Sequence, residues 1–125
     1  MIFLNKSDII AIQERAIKEF GGLHGIRDEG ALESAVIAIV NRFHYEQADL
    51  VACAATYGYH IAKAHAFIDG NKRTAAIATE TFLLVNDARL EVKNSQFADL
   101  FIGLASGEVS RDDAEALLRS WVRGL

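Results

Sequence analysis

Apolar residues recur three and four positions apart in six segments of the chain, whereas the alternation that marks strands is rare. That spacing places the apolar side chains on one face of a helix, and capping residues or glycines delimit each segment. The six predicted helices run from a cap at Ser7 to Phe20, from Asp28 to about Asn41, from Asp49 to about Ala64, from Asn71 to about Val85, from about Ser95 to Ala105, and from Ser110 to about Val122. The pattern therefore predicts an all-α fold.

Two short segments depart from the helical pattern. Phe43-His44-Tyr45 alternates and predicts a short flap or hairpin between the second and third helices, and Leu90-Glu91-Val92 has a similar alternation. The third helix is rich in alanine and glycine, which predicts a central helix packed closely on several sides. Residues 1–125 contain no linker and no obvious repeat, so we expect one domain, a compact bundle of about six helices.

Charge and cysteine content narrow the function classes. Thirteen Lys and Arg against seventeen Asp and Glu give a net charge of −4, which argues against direct DNA binding by this chain because phosphate affinity comes from clustered cations. Leu50–Ala62, the longest uncharged run, is shorter than the roughly 20 residues of a membrane span. The single cysteine, and an N-terminus without a signal-like basic region, fit a cytoplasmic protein. We therefore expect neither DNA nor a membrane as a partner.

One polar stretch, His65–Thr74, is not explained by packing. It joins two apolar helices and reads His-Ala-Phe-Ile-Asp-Gly-Asn-Lys-Arg-Thr. The helix that starts at Asn71 directs free backbone N–H groups and the positive end of its dipole at this loop. A helix N-terminus that follows a glycine turn, here at Gly70, is an anion site. Lys72 and Arg73 are electrostatically misplaced at a helix N-terminus unless an anion binds there.

The other polar side chains of the stretch complete a candidate nucleotide site. Asp69 is a candidate magnesium ligand, since Mg²⁺ is usually held by one or two carboxylates together with substrate phosphates. His65 is a candidate general base, because histidine titrates near about pH 6.5 and accepts a proton at neutral pH. The predicted phosphate-binding residues are Gly70, Asn71, Lys72 and Arg73. These parts together fit phosphoryl transfer from a nucleoside triphosphate with its metal ion.

Plainer interpretations of the same residues stay open at this point. A lone His65 is typical of a helix-end histidine bonded to a nearby carbonyl, Asn71 is typical of a helix cap, and the two cations are typical of a solvated first turn. The other histidines have no partners at a metal-binding spacing, and we expect structural or surface roles for them. These histidines are His24, His44 and His60.

The stretch HAFIDGNKRTA resembles the active-site motif of the Fic/Doc family, in the form found in its Doc branch of toxins. The general Fic form reads His-Pro-Phe-x-[Asp/Glu]-Gly-Asn-Gly-Arg-x-x-Arg. Phe20–Gly30, followed by Leu32–Ala35, is similar to the family's N-terminal GG-x-x-G-x-R-D block, and Ala105–Glu108 is similar to its C-terminal turn. The resemblance covers nearly the whole chain.

The resemblance implies an all-α bundle and a role for each motif residue. By position, His65 would be the catalytic base, Phe67 would anchor the loop in the core, and Asp69 would bind Mg²⁺. The phosphates of ATP would be held by Asn71, Lys72 and Arg73.

Two positions depart from the Fic form and bear on the expected reaction. Lys72 stands where the Fic form has its second glycine, and Ala76 stands where it has its second arginine. In the Doc branch, these changes accompany a kinase that binds ATP in reversed orientation and phosphorylates a threonine of translation elongation factor Tu, which inhibits translation. The resemblance therefore implies such a kinase, with ATP and Mg²⁺ as cofactors. A Fic-type AMP transferase using the same site is the alternative, and a non-catalytic nucleotide- or partner-binding module is a second.

The resemblance also implies an inhibitory partner. Phd, the antitoxin of the Doc branch, has a disordered C-terminal segment that folds as a helix in a groove of the toxin. Some Fic proteins instead carry an internal inhibitory helix of the form [Ser/Thr]-x-x-x-Glu-[Gly/Asn]. In this sequence only Glu29 is followed by Gly or Asn, and the residue four positions before it is Gly25. We therefore expect inhibition in trans by a Phd-like antitoxin.

Overall fold

Helices form most of the structure, a computed structural model that describes residues 1–124. Six helices and two short strands follow one another in these residues: α1 (Lys6–Phe20), α2 (Glu29–Glu46), α3 (Leu50–Ala64), α4 (Asn71–Val85), β1 (Arg89–Leu90), α5 (Asn94–Ser106), α6 (Arg111–Trp121) and β2 (Val122–Arg123). The prediction of an all-α helical bundle is confirmed. Within the described residues, no helix is both long and apolar enough to cross a membrane.

Helix α3 lies at the centre of the bundle because its side chains are small. It packs against α2, α4, α5 and α6, and most of its length between Val51 and Ala62 is buried. Gly58 permits a particularly close approach, since a Cβ there would lie 3.0 Å from Phe101 Cε1 on α5 and 3.1 Å from Thr79 Oγ1 on α4. The central helix predicted from the alanine and glycine content is therefore observed.

Helix α1 begins two residues earlier than predicted. Asn5 is its cap: the Asn5 side chain accepts a hydrogen bond from the Asp8 backbone N–H at 2.9 Å, and the Asp8 carboxylate accepts one from the Asn5 N–H at 2.8 Å. This reciprocal pair satisfies two backbone donors at once. Ser7 lies within the first turn, so the predicted cap at Ser7 is wrong.

Helix α2 continues past the predicted end at Asn41 to Glu46. The flap or hairpin predicted at Phe43-His44-Tyr45 is wrong, because these residues form the last turn of α2. The Phe43 ring packs edge-to-face against the Phe3 ring, with centroids 5.2 Å apart. A tertiary contact therefore favours helix where the local alternation of side chains indicated a strand.

The two strands form one antiparallel pair in which Arg89 lies opposite Arg123 and Leu90 lies opposite Val122. The strand predicted over Leu90–Val92 is displaced, since it starts at Arg89 and ends at Leu90. The last helix was predicted to reach about Val122, but Val122 leaves α6 and pairs with β1. Sequence periodicity could not show this pairing, because its two partners are far apart along the chain.

The remaining helix ends agree closely with the predictions and fix the loop that carries the site. Asp49 caps α3 by accepting a bond from the Ala52 N–H at 2.9 Å, and α4 begins at Asn71 as predicted. Ser110 caps α6 by accepting a bond from the Asp113 N–H at 3.0 Å. The loop of residues 65–70 is therefore held between the end of the central helix α3 and the start of α4.

Candidate active site

The loop between α3 and α4 is folded tightly around the side chain of Asn71. Its Oδ1 accepts a hydrogen bond from the Phe67 N–H at 3.0 Å, and its Nδ2 donates to the Phe67 carbonyl at 2.9 Å. The Phe67 ring is buried in the core, as the anchoring role implied. Both ends of the Asn71 amide are engaged in the loop, so the backbone N–H of Asn71 and the second N–H of its Nδ2 are the donors left for a phosphate.

His65 ends α3 in the left-handed region, with φ 47° and ψ 40°. A residue other than glycine holds that conformation only when its surroundings fix it. Arg27 provides the fixing contact, because its Nε and Nη2 donate to the His65 carbonyl at 3.1 and 2.7 Å. The His65 side chain remains exposed, so it is accessible to a substrate hydroxyl.

The segment before α2 runs antiparallel beside the loop and holds it by backbone hydrogen bonds. Ile26 forms an isolated bridge with Phe67. The N–H groups of Arg27 and Asp28 both donate to the Ala66 carbonyl, at 2.7 and 3.0 Å. This segment is part of the GG-x-x-G-x-R-D block, whose contribution to the site is therefore structural support.

Asp69 is oriented by three residues of α1 and the segment that follows it. Its Oδ2 accepts a bond from the Leu23 N–H at 3.3 Å, and its carbonyl accepts one from the buried Gln13 side chain at 3.2 Å. Gly22 packs so closely that a Cβ there would lie 2.7 Å from Asp69 Oδ2. Asp69 Oδ1 also accepts a bond from the Gly70 N–H at 2.9 Å. The carboxylate is thus held at the start of α4.

The donors present fit a magnesium ion held jointly by protein and substrate. No group of three or more His, Cys, Asp or Glu side chains among residues 1–124 forms a metal cluster. Asp69 is a single exposed carboxylate, and Mg²⁺ in phosphoryl-transfer sites commonly takes only one or two carboxylates together with phosphates. The magnesium-binding role of Asp69 remains a prediction.

Two cations flank the loop at the N-terminus of α4. The Arg73 guanidinium lies 4.2 Å from the centroid of the Phe20 ring, at the end of α1. Lys72 is exposed, and no carboxylate of the described side chains forms an ion pair with either cation. Their charges add to the positive end of the α4 dipole instead of being neutralised, which favours an anionic ligand.

A cavity of about 310 Å³ opens at this point, within the size range of small-molecule sites, roughly 300–1,000 Å³. We call it the active-site cavity, and its lining residues are His65, Ile68, Asp69, Gly70, Asn71, Lys72 and Arg73. It brings together all six residues predicted for catalysis, metal binding and phosphate binding. None of the other histidines lines it.

Three supporting residues were not predicted from the sequence: Arg27, Gln13 and Phe20. Each acts on the loop from more than 35 positions away, and no local pattern signals such a contact. Arg27 stood out only as part of the family block. Arg27 lies directly before Asp28, the cap of α2, but this position in the sequence does not indicate that its side chain bonds to the His65 carbonyl.

Comparisons with known proteins identify the family of this chain. Residues 3–83 match the model of the Fic/DOC family. The chain is 34% identical over 120 residues to "Protein kinase doc" of Escherichia phage P1, a match that covers 95% of this chain and 94% of that protein. It is 36% identical over 90 residues to "Toxin Doc" of Mycolicibacterium smegmatis, covering 70% of this chain and 67% of that protein. Because the family model matches residues 3–83 and one relative is 34% identical along 95% of the chain, this chain belongs to the Fic/Doc family.

Proposed function

We propose that this chain is a Doc-like toxin that acts as a protein kinase, transferring the γ-phosphate of ATP to a threonine of translation elongation factor Tu. The observation that carries the proposal is the active-site cavity, where a histidine, a carboxylate and two cations meet at the N-terminus of α4. The names of the two relatives support it, since one is a protein kinase and the other a toxin. The target itself rests on the family resemblance.

Helix α4 and its first residues would hold the phosphates. The backbone N–H groups of residues 71–73 have no acceptor within the helix and point toward its N-terminal end. Gly70 holds the left-handed backbone conformation, with φ 75°, from which α4 starts at the cavity. Lys72 and Arg73 contribute two positive charges. Bound Mg²⁺, with Asp69 as its protein ligand, would neutralise charge on the phosphate oxygens.

His65 would accept the proton of the target hydroxyl. As the hydroxyl oxygen bonds to the γ-phosphorus, the bond from that phosphorus to the bridging oxygen breaks, and ADP leaves with the electron pair. A positioned base contributes about 10²–10⁴-fold to such a transfer. Because Arg27 fixes the backbone of His65, the bond from Cα to Cβ has a defined direction at the cavity.

Lys72 and Ala76 favour phosphate transfer over AMP transfer. In the Fic form, a glycine at the first position lets the α-phosphate lie against the backbone, and an arginine at the second helps to bind the nucleotide. Lys72 places a long charged side chain at the first position, and Ala76 provides no charge at the second. The same cavity would then present the terminal phosphate to His65.

Mass spectrometry of the target tests the proposal directly. The purified chain is incubated with elongation factor Tu, Mg²⁺ and ATP, and we expect the target to gain about 80 Da, one phosphoryl group, whereas AMP transfer would add about 329 Da. His65→Ala should abolish the gain, and His44→Ala, at an exposed histidine outside the cavity, should leave it unchanged. An unmodified target, or full activity of His65→Ala, would overturn the proposal.

Control of the toxin is proposed to come from an antitoxin in trans. The relatives named Doc support a toxin–antitoxin system, and the internal inhibitory motif is not present in this sequence. The chain purified without a partner should therefore be active as isolated. A quiescent chain that gains activity only after a change within itself would contradict control in trans.

A further inference from the structure

A second cavity, of about 240 Å³, opens between α4 and α5 beside the active-site cavity. We call it the Ala76 cavity; its lining residues are Lys72, Arg73, Ala76, Ala98, Phe101 and Ile102. Lys72 and Arg73 line both cavities. The two cavities are therefore neighbours across the same pair of cations.

Apart from these cations, the Ala76 cavity is bounded by hydrocarbon. The Phe101 side chain is buried, and its ring packs edge-to-face against the Phe97 ring with centroids 4.9 Å apart, which fixes its orientation. Ala98 and Ile102 lie one helical turn apart on the exposed side of α5. No carboxylate among residues 1–124 lines the cavity. Such walls suit a flat, uncharged, largely apolar group attached to a polyanion.

The short side chain of Ala76 keeps this cavity open. Ala76 lies four residues after Lys72 in α4 and therefore on the same side of the helix. An arginine at this position, as in the Fic form, would occupy the space with a long side chain and add a third positive charge. The departure from the Fic motif thus creates an apolar cavity one turn beyond the phosphate-binding cations.

We propose that the Ala76 cavity binds the nucleobase of ATP, an inference that rests on the proposed function. The base lies among Ala76, Ala98 and Phe101, and the phosphates cross Lys72 and Arg73 into the active-site cavity. This order brings the terminal phosphate to His65 and keeps the α-phosphate on the side of the base. It supplies a physical reason for γ-phosphate transfer by this chain.

The shared cations favour a nucleotide over an apolar side chain of a protein partner. A hydrophobic protein side chain would leave the two positive charges at its edge without a counter-charge, whereas a nucleotide carries its phosphates directly beside the base. Both cavities together also lie within the roughly 300–1,000 Å³ that is typical of small-molecule sites. A single extended ligand therefore satisfies both surfaces.

Binding measurements on variants that fill the Ala76 cavity test the proposal. Ala98→Phe adds a ring at an exposed lining position, and Gln96→Phe adds the same ring at an exposed position of α5 outside the cavity. Calorimetry compares a nonhydrolysable ATP analogue with inorganic tripolyphosphate, which has no base. We expect Ala98→Phe to weaken binding of the analogue about tenfold or more, the cost typical of a blocked apolar subsite, and to leave tripolyphosphate binding unchanged. Gln96→Phe should alter neither.

The possible outcomes separate this site from the proposed function. If the wild-type chain binds the analogue and Ala98→Phe leaves that binding unchanged, the nucleobase site is overturned while the kinase proposal stands. Equal weakening of the analogue and of tripolyphosphate overturns it as well. If the wild-type chain binds neither compound, the proposed function fails together with the site. Ile102→Trp, at a second exposed lining position, repeats the test should Ala98→Phe fail to fold.

Discussion

Removal of the Arg27 side chain should slow phosphoryl transfer without weakening nucleotide binding. Arg27 donates two hydrogen bonds to the His65 carbonyl, while His65 holds a left-handed backbone conformation that costs on the order of 1–3 kcal/mol for a non-glycine residue. Hydrogen bonds from charged donors contribute about 1.5–3 kcal/mol, and the lower end applies because Arg27 is exposed. About 1.4 kcal/mol changes a conformational ratio tenfold. The loss is therefore large enough to displace His65 from its position in most molecules.

The assay compares transfer rates at saturating ATP with nucleotide dissociation constants. We expect Arg27→Ala to transfer about tenfold more slowly, following the factor above, with the dissociation constant of a nonhydrolysable ATP analogue changed by less than about twofold. Arg27→Lys keeps the charge but lacks the planar guanidinium, so its transfer rate should lie between those of the wild-type chain and Arg27→Ala. Arg111→Ala, at the arginine that begins α6 and does not line the active-site cavity, is the control. A folded Arg27→Ala variant with the wild-type rate would refute the assigned role.

Three further predictions concern other supports of the fold and site. Gly22→Ala should place a methyl group against the Asp69 carboxylate, since a Cβ at this position, where φ is +118°, would lie 2.7 Å from Asp69 Oδ2. The variant should therefore need a higher Mg²⁺ concentration for transfer. Gly21→Ala, at φ +89° with nothing within 4 Å, is the control, and equal effects of the two variants would argue against a role for the contact. Asp49→Ala should lower the free energy of unfolding by about 1–2 kcal/mol because it removes the α3 cap and an ion pair, whereas Asp49→Asn keeps the cap and should lose less; denaturant melts decide this. Burial lowers the pKa of His60 in the folded state below its usual 6.5. The stabilising contribution of the neutral imidazole is present above that value and is lost as the pH falls through the lower, folded-state pKa. His60→Gln should therefore flatten the decline in thermal stability below about pH 6.5, and an unchanged profile would contradict this.

The helices and the cluster of site residues could be predicted because both depend on local sequence. Apolar spacing and caps located α3 and α4. The loop that joins them and the first turn of α4 carry every predicted site residue within nine positions, from His65 to Arg73. Residues so close along a short loop must also lie close in space. Their meeting at one cavity therefore required no knowledge of the tertiary structure.

The features that were missed depend on contacts between distant parts of the chain. Phe43 is helical where alternation indicated a flap, and it packs on Phe3, forty positions away. Val122 pairs with Leu90 across a separation that periodicity does not register. Helices α2 and α3 separate Arg27 from His65 along the sequence, yet the Arg27 side chain bonds to the His65 carbonyl. In each case a specific tertiary partner decides the conformation, and a single sequence does not name that partner.

The contacts of α1 with the loop imply that catalysis and folding of the core are separable. Gln13 contacts the loop at Asp69, and Phe20 contacts Arg73 of α4. Both lie on a helix that packs chiefly against α4, whereas the core is centred on α3. Undocking of α1 would release Asp69 and Arg73 while leaving α3 and its neighbours packed, so it should require less free energy than global unfolding. We therefore expect an inactive, partly open state below the unfolding transition, so the concentration of denaturant that ends activity should be lower than the one that melts the helices.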